Sequence, residues 1–547
     1  MFYMMSMSVF NQLTIYIFSD ILFKNKKEVF ALKKYISVLL VIFLLITTCL
    51  IIAPVSSAAS TGANIPVIHV CGYGAVLVKD NPDGTKTQIY PLNVENSFIE
   101  EKAKEILPVF AKAFFTQKWD NFCDELVDTL VPVFEPIKLD NNGEATNNTR
   151  ADWTWNRKTL KNYKNKDGKY NPTAYKFHYD WRLDPLVIAD SLHQYIEDIL
   201  YVTGADKVAL YGRCLGSNVV AAYMQKYDGE NVQEVIHYAS SMYGADQCSK
   251  AFTGEMYFDA DSVERFAYDY DLGLGDYYTE LLQSLVTLMN KNYSLDITCW
   301  AVNNVMEDIY LDIFPEILIN SFGTFPAYWS MVSAEDFDRA METVFYGSDK
   351  NDYAGLINKI ENYRKNVFEE FENFSLAQAE RGIEFSNIVK YGIQLLPLTA
   401  NSVELADGTV TVKLSSFGAT ASHADGKLSD DYINNSASWY ISPDKQIDAS
   451  TCISPDTTWF IKNLEHNNFP DCVIDLVSEI VNNNNFTVKS NSDYPQYLVF
   501  DKETDLISPM TTENMNTTER WNVTFFDALV RFFDYLFKVL KQIFAAL

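Results

Sequence analysis

Cys214 is the residue whose setting most suggests chemistry. It lies at the centre of Gly212-Arg213-Cys214-Leu215-Gly216, after the apolar run Val208–Tyr211 and before a helical pattern through Val219, Ala222 and Tyr223. Strand, tight glycine-flanked turn and helix is the order of a nucleophile elbow, which exposes its central side chain at the end of a sheet. The two glycines have a physical reason, because side chains there would collide with the strand and helix flanking a strained turn. A thiol near a helix N-terminus and an imidazole ionises readily, and its thiolate attacks acyl carbon. Serine is the usual occupant of such an elbow, and cysteine preserves the two-step acyl-transfer logic. Most cysteines are simply small buried apolar residues, so the competing reading is a degenerate site that binds without turnover. Ser217 is the poorer nucleophile, because helix capping explains it.

Other elements must hold that sulfur. Asn64–Gly74 reads as an apolar strand ending in a glycine turn. In such an arrangement Tyr73 would lend one backbone N–H to an oxyanion, and Leu215 the other. His69, on the strand, is read as structural. Residues 99–135 carry apolar side chains at three- and four-residue spacing and are expected to be helical, and residues 140–169 are turn-rich. Tyr175–Asp184 reads as a strand leading into a helix over Pro185–Val202, closed by Gly204, with the elbow strand directly after. Val232–Ser240 is a further strand, and its His237 comes too early in the chain to serve as a base. From Ser241 to about Leu395 the pattern is helical and aromatic, over 277–289, 299–314, 334–345 and 356–374. An insertion of that size reads as a cap over the site, where an apolar substrate channel is expected. The fold expected is α/β: an α/β-hydrolase fold, a mostly parallel central sheet flanked by helices, with a large helical cap insertion.

Tyr179-Asp180-Trp181-Arg182, followed by a helix and then the elbow strand, resembles the Y-D-W-R block of the lecithin:cholesterol acyltransferase-like family of α/β-hydrolases. The resemblance spans roughly Ile65–Glu479 and implies a lipid acylhydrolase or acyltransferase. In that family the block is largely architectural, so it implies no catalytic role for Asp180 or Arg182. Gly323–Met331 resembles a cap segment of the family, less specifically. Asp407-Gly-Thr-Val matches the D-G-T-V segment where the family carries its triad acid, so the resemblance implies Asp407 in that role. Taken by itself, an Asp in a glycine turn after a candidate strand at Ile393–Thr399 could bond a histidine or simply form a hairpin. Two histidines lie downstream. His466 precedes an amphipathic helix, Cys472–Val481, as the catalytic histidine of this fold does; His423, in a loop sixteen residues after Asp407, is the other candidate.

The chain has 547 residues, 48% of them apolar, enough for one large core with insertions or two domains. The expected organisation is an N-terminal region with a signal peptide over 1–59, hydrolase core over 60–240 and 393–500, cap over 241–392 and a tail over 501–547. A formal charge of −28, from 72 acidic and 44 basic residues, argues against a nucleic-acid partner and against purely electrostatic attraction to anionic membranes. Thirty-six Phe and 33 Tyr fit either a large aromatic core or an apolar groove. Lys33-Lys34, the apolar run Ile36–Ala53 and the small residues to Ser60 follow the order of a secretory signal, with cleavage expected near Ala58 or Ala59 and a retained anchor as the alternative.

Export would leave seven cysteines, an odd number, with Cys214 expected to be the unpaired one. Cys248–Cys299 and Cys452–Cys472 are pairings suggested by proximity alone. No metal site or cofactor is expected, since no C-x-x-C pair occurs and histidines are few and scattered. Sequons at Asn292, Asn373, Asn485 and Asn522 carry little weight in so Asn-rich a chain. Over Trp521–Leu547, Phe525, Leu529, Phe532, Leu536, Leu540, Ile543 and Leu547 share one helical face, with Asp527, Arg531, Asp534, Lys538 and Lys541 opposite. Such a helix can lie on a bilayer or dock on protein.

The function expected is an exported hydrolase or O-acyltransferase with a Cys214–His466–Asp407 triad, acting on acyl ester, lipid-like substrates through an acyl-thioenzyme. The alternatives are a non-catalytic lipid- or ligand-binding protein, and a thiol peptidase, amidase or thioesterase.

Overall fold

The computed structural model describes residues 62–92, scattered positions of 102–113, and 116–269, 276–515 and 524–546. Residues 1–61, which hold the expected signal segment, lie outside the described residues. No described helix is long and apolar enough to cross a membrane.

The chain enters through β1 (Val67–Val70), followed by β2 (Leu77–Asp80), β3 (Lys86–Tyr90) and β4 (Thr149–Ala151), which form a small antiparallel sheet of their own. Then come β5 (Tyr175–Phe177), β6 (Val208–Arg213), β7 (Val232–Tyr238) and β8 (Glu384–Tyr391). A short ribbon, β9 (Thr420–Ala421) with β10 (Ile447–Asp448), precedes β11 (Thr458–Lys462), β12 (Tyr497–Asp501) and β13 (Leu506–Pro509). The main sheet has eight strands in the order β13-β12-β11-β8-β7-β6-β1-β5. Every neighbouring pair is parallel except β12 with β13.

Parallel strands must be covered on both faces, which is why β1 and β6 read as unbroken apolar runs. Ile68, Val70, Val208 and Leu210 face one core, against α1 (Pro185–Thr203) and α2 (Leu215–Tyr227). Val67, Ala209, Tyr211 and Ile461 face the other, against α3 (Asp471–Asn482). The ends of α1 were written into the sequence. The Asp184 carboxylate accepts from the Leu186 N–H at 2.9 Å, Pro185 opens the first turn, and Gly204 closes the helix at φ 68°. This is the mixed α/β, hydrolase-like architecture expected.

Helices fill the chain between β7 and β8, including Asp246–Thr253, Asp276–Lys291, the 26-residue Ser294–Ile319, Ala354–Tyr363 and Phe371–Glu380. The tail helix Phe525–Ala546 packs along Asp276–Lys291, leaving Phe526, Val530 and Phe533 exposed.

Three expectations are corrected. The strand placed at Ile393–Thr399 is β8, Glu384–Tyr391, and Ile393 makes only a single bridge, to Asp407. Asn387 and Lys390 obscured it, being polar yet wholly buried. Ser217 does not cap a helix: α2 already begins at Leu215, and the buried Ser217 hydroxyl donates back to the Gly212 carbonyl at 2.9 Å. Neither suggested disulfide forms, since no described cysteine is bridged to another. Cys452 packs with Phe460 and Val499 while Cys472 packs with Trp459 and Leu498, on opposite faces of the sheet. Cys299 sits in a cluster formed mainly by the helices between β7 and β8, and Cys248 packs against the central core.

Candidate active site

The strand order reverses between β1 and β6, because the chain runs outward to β5 and then crosses back. In open α/β sheets the crevice beyond the carboxyl ends at such a reversal is where ligands bind. The turn after β1 and the elbow after β6 meet there.

Cys214 sits between β6 and α2 at φ 50° and ψ −124°, a backbone conformation L-residues adopt only under constraint. The flanking glycines allow it through close approach rather than through unusual φ. A Cβ on Gly216 would come within 2.2 Å of the Val70 carbonyl oxygen, and one on Gly212 within 3.0 Å of the Gly216 carbonyl oxygen. The β1 turn is equally close, since a Cβ on Gly72 would sit 3.0 Å from the Arg213 carbonyl oxygen and 3.1 Å from Cys214 Cβ. Tyr73, the next residue, is thereby brought to the edge of the elbow. Leu215 opens α2, and its backbone N–H hydrogen-bonds the Cys214 sulfur.

Asp407 lies in the glycine turn expected, with its own N–H donating to the Val410 carbonyl at 3.2 Å and Gly408 at φ 95°. Its side chain is engaged as well. Oδ1 accepts the N–H groups of Thr409 and Val410, at 3.0 and 2.8 Å, and Oδ2 lies 2.7 Å from His466 Nδ1. The backbones are tied too, by the His466 N–H to the Asp407 carbonyl at 2.8 Å. Nδ1–H therefore points at the carboxylate and Nε2 is turned away from it. Nε2 is buried and has no hydrogen-bond partner of ordinary geometry, while the imidazole and the Cys214 thiol interact by charge and by a looser side-chain contact. Long sulfur–imidazole geometry is usual in a resting site.

The charges agree with that arrangement. Burial pushes the Cys214 thiol up, but the His466 imidazolium, its hydrogen bond, the Leu215 N–H and the Arg213 charge outweigh it, and the net shift is downward. Burial pulls His466 down, yet Asp407 and Cys214 together raise it to about 9. Cys71 shows the other case: burial lifts it to about 11, even with Arg213 and Lys176 opposing. Both shifts run in the direction that favours a thiolate–imidazolium pair.

The remaining candidates separate cleanly. His423 is exposed and bridges only to Glu404, away from Cys214. His237 is buried against Phe371, Phe385 and Phe417, and desolvation lowers it to about 3. His69 lies buried against Tyr211. Asp180 and Arg182 form a buried two-pronged ion pair, at 2.8 and 2.6 Å, and the same guanidinium donates to Ile137 O and Thr149 Oγ1. That is a clamp between core segments.

Lys390 escaped the sequence reading altogether. It is wholly buried on β8, and its ammonium donates to the carbonyls of Glu465, His466 and Asn468 at 3.1, 2.8 and 2.7 Å. It also lies over the rings of Tyr238 and Phe469, at 4.3 and 4.2 Å. Three donated bonds require the charged form, which burial opposes. The loop carrying His466 is therefore pinned by one desolvated cation. Asp246 does the same for the acid loop, accepting from Asn401 Nδ2 at 3.1 Å and the Thr411 N–H at 2.9 Å. The only legible hint of Lys390 was a charged residue within an otherwise apolar stretch. Among the described residues, no group of histidine, cysteine and carboxylate side chains could hold a metal ion.

No family model matches this chain, and no curated protein does. Among solved structures, the crystal structure of the Tle4–Tli4 complex matches at 12% identity with a TM-score of 0.21, covering 60% of this chain and 74% of that one.

Proposed function

We propose that this chain is a cysteine-dependent acyl hydrolase or acyltransferase acting on acyl esters of lipid-like substrates. The observation that carries the reading is the relay from Asp407 through His466, 2.7 Å apart, to a thiol held on a constrained elbow. In this reading His466 takes the Cys214 proton and the thiolate attacks the ester carbonyl. The N–H groups of Leu215 and Tyr73 receive the oxyanion, and the alkoxide leaves with the proton from His466. Water or an acceptor alcohol, deprotonated by the same imidazole, then cleaves the acyl-thioenzyme. The Y-D-W-R and D-G-T-V segments support a place near the lecithin:cholesterol acyltransferase-like enzymes.

An apolar acyl group suits the surroundings. Tyr73 packs against Trp181 at 4.2 Å, with Tyr90 and Tyr328 at 5.5 and 5.9 Å, beside the Gly72 turn. We further propose export, on the order of residues 33–60, and membrane contact through the exposed Phe526, Val530 and Phe533. The deciding experiment is a screen of p-nitrophenyl esters of rising chain length, acyl thioesters and peptides with the native protein and Cys214→Ala. Ester turnover that vanishes in the variant supports the proposal. Peptide cleavage alone would move the protein to the amidases, and no turnover of any class would leave a binding protein.

A further inference from the structure

Tyrosines buried in the central core have partners for their hydroxyls. Tyr195 donates to the Lys176 carbonyl at 3.2 Å, Tyr223 to that of Glu230 at 2.9 Å and Tyr363 to that of Asn218 at 3.4 Å. Tyr179 is different. Its ring stacks on Phe177, with centroids 5.7 Å apart, yet its hydroxyl is buried without a hydrogen-bond partner. A buried polar atom left unpaired is unfavourable, and a phenylalanine would fill the same space without that defect.

Its position suggests what the oxygen is for. Tyr179 stands two residues past the end of β5, where the Cys71 N–H donates to the Phe177 carbonyl at 3.1 Å. Cys71 leads into Gly72, where an added Cβ would sit 3.1 Å from Cys214 Cβ. The Tyr179 side chain accordingly feels the charges of both Cys71 and Cys214. This hydroxyl and His466 Nε2 are both buried without a hydrogen-bond partner of ordinary geometry, and both side chains couple electrostatically to Cys214. Burial first, and then those two thiols, hold the phenol far above its ordinary pKa, so it stays a neutral O–H donor at any working pH.

We infer that Tyr179 is a catalytic residue of the proposed acyl-transfer reaction, its hydroxyl donating a hydrogen bond to the substrate carbonyl oxygen as that oxygen becomes an oxyanion on attack by Cys214. This rests on the reading above and adds a side-chain donor to the two backbone N–H groups. No proton is transferred: the phenol keeps its hydrogen throughout, and the bond strengthens as charge develops on the oxygen.

The test is Tyr179→Phe, which removes one oxygen atom. With p-nitrophenyl butyrate as probe, kcat should fall about 100-fold with KM little changed, as for loss of one oxyanion donor. Iodoacetamide alkylation of Cys214, which passes through no oxyanion, should stay within about twofold of native, because the thiolate is untouched. The melting temperature should hold or rise, since an unpaired buried hydroxyl has gone. Unchanged kcat would overturn the inference and leave the parent reading standing. A lower melting temperature, or failure to fold, would also overturn it, by showing the hydroxyl to be structural. If native protein fails to turn over the ester, the parent reading falls and this one with it.

Discussion

Removing the imidazole should convert Cys214 into an ordinary buried thiol. In His466→Ala burial still raises the Cys214 pKa, and only the Leu215 N–H and the Arg213 charge remain to oppose it. Cys71, at the end of the adjacent strand, shows how strongly burial acts here: it is lifted to about 11 although its sulfur lies 3.8 Å from His178 Nε2, whereas native Cys214 lies below the ordinary 9.0. The pKa of Cys214 should therefore rise, and each ~1.4 kcal/mol of ion pairing that is lost removes about nine-tenths of the thiolate present near neutral pH. A more basic thiolate is intrinsically faster, by about threefold for each such tenfold loss, so alkylation should fall by about threefold net for each. The assay is iodoacetamide labelling of the native, folded protein from pH 5.5 to 10.5, with mass-spectrometric counting at each cysteine. Buried Cys71, Cys123 and Cys452, all raised to about 11, serve as internal controls. Native Cys214 should reach its plateau below pH 9, and the variant should still be rising at the top of the range. Superimposable pH profiles for Cys214 in the two proteins would refute the thiolate–imidazolium argument, and a native Cys214 as inert as Cys71 would refute it without any variant.

Two further perturbations probe what holds the site. Gly72→Ala puts a methyl 3.0 Å from the Arg213 carbonyl and 3.1 Å from Cys214 Cβ; it should cost about 1–3 kcal/mol in urea unfolding and slow Cys214 alkylation by displacing the elbow, whereas native alkylation would show that the β1 turn does not bear on it. Lys390→Met leaves three carbonyls of the histidine loop without their donor; a loss of about 3 kcal/mol by urea unfolding is expected, along with a Cys214 pH profile shifted toward that of His466→Ala, and an unshifted profile would show that the loop holds its shape without the cation.

Local patterns announced much of this chain because their causes are local. Gly212 and Gly216 must be bare where a strand turns sharply into a helix under a neighbouring strand: the helix's own first turn demands it of Gly212, and Val70 of Gly216. Asp184, Pro185 and Gly204 fix the two ends of α1 by capping geometry that involves no distant residue. His466 was legible for a related reason, since a histidine just before the last amphipathic helix is carried to the sheet edge by the chain order itself. What sequence could not supply was the pairing of distant groups. A lysine inside β8 looks like a solvated residue until three carbonyls from a loop about 75 positions away surround its ammonium. Six cysteines in a chain expected to be exported look like disulfides until Cys452, in the loop before β11, and Cys472, on α3, are found packed against opposite faces of the sheet. Tyr179 looks like part of an architectural tetrapeptide until its hydroxyl is found unpaired and its side chain coupled electrostatically to Cys214. Short-range sterics and capping are encoded residue by residue, whereas desolvation and charge coupling depend on which remote groups the packed sheet brings within a few ångströms, and only the tertiary structure decides that.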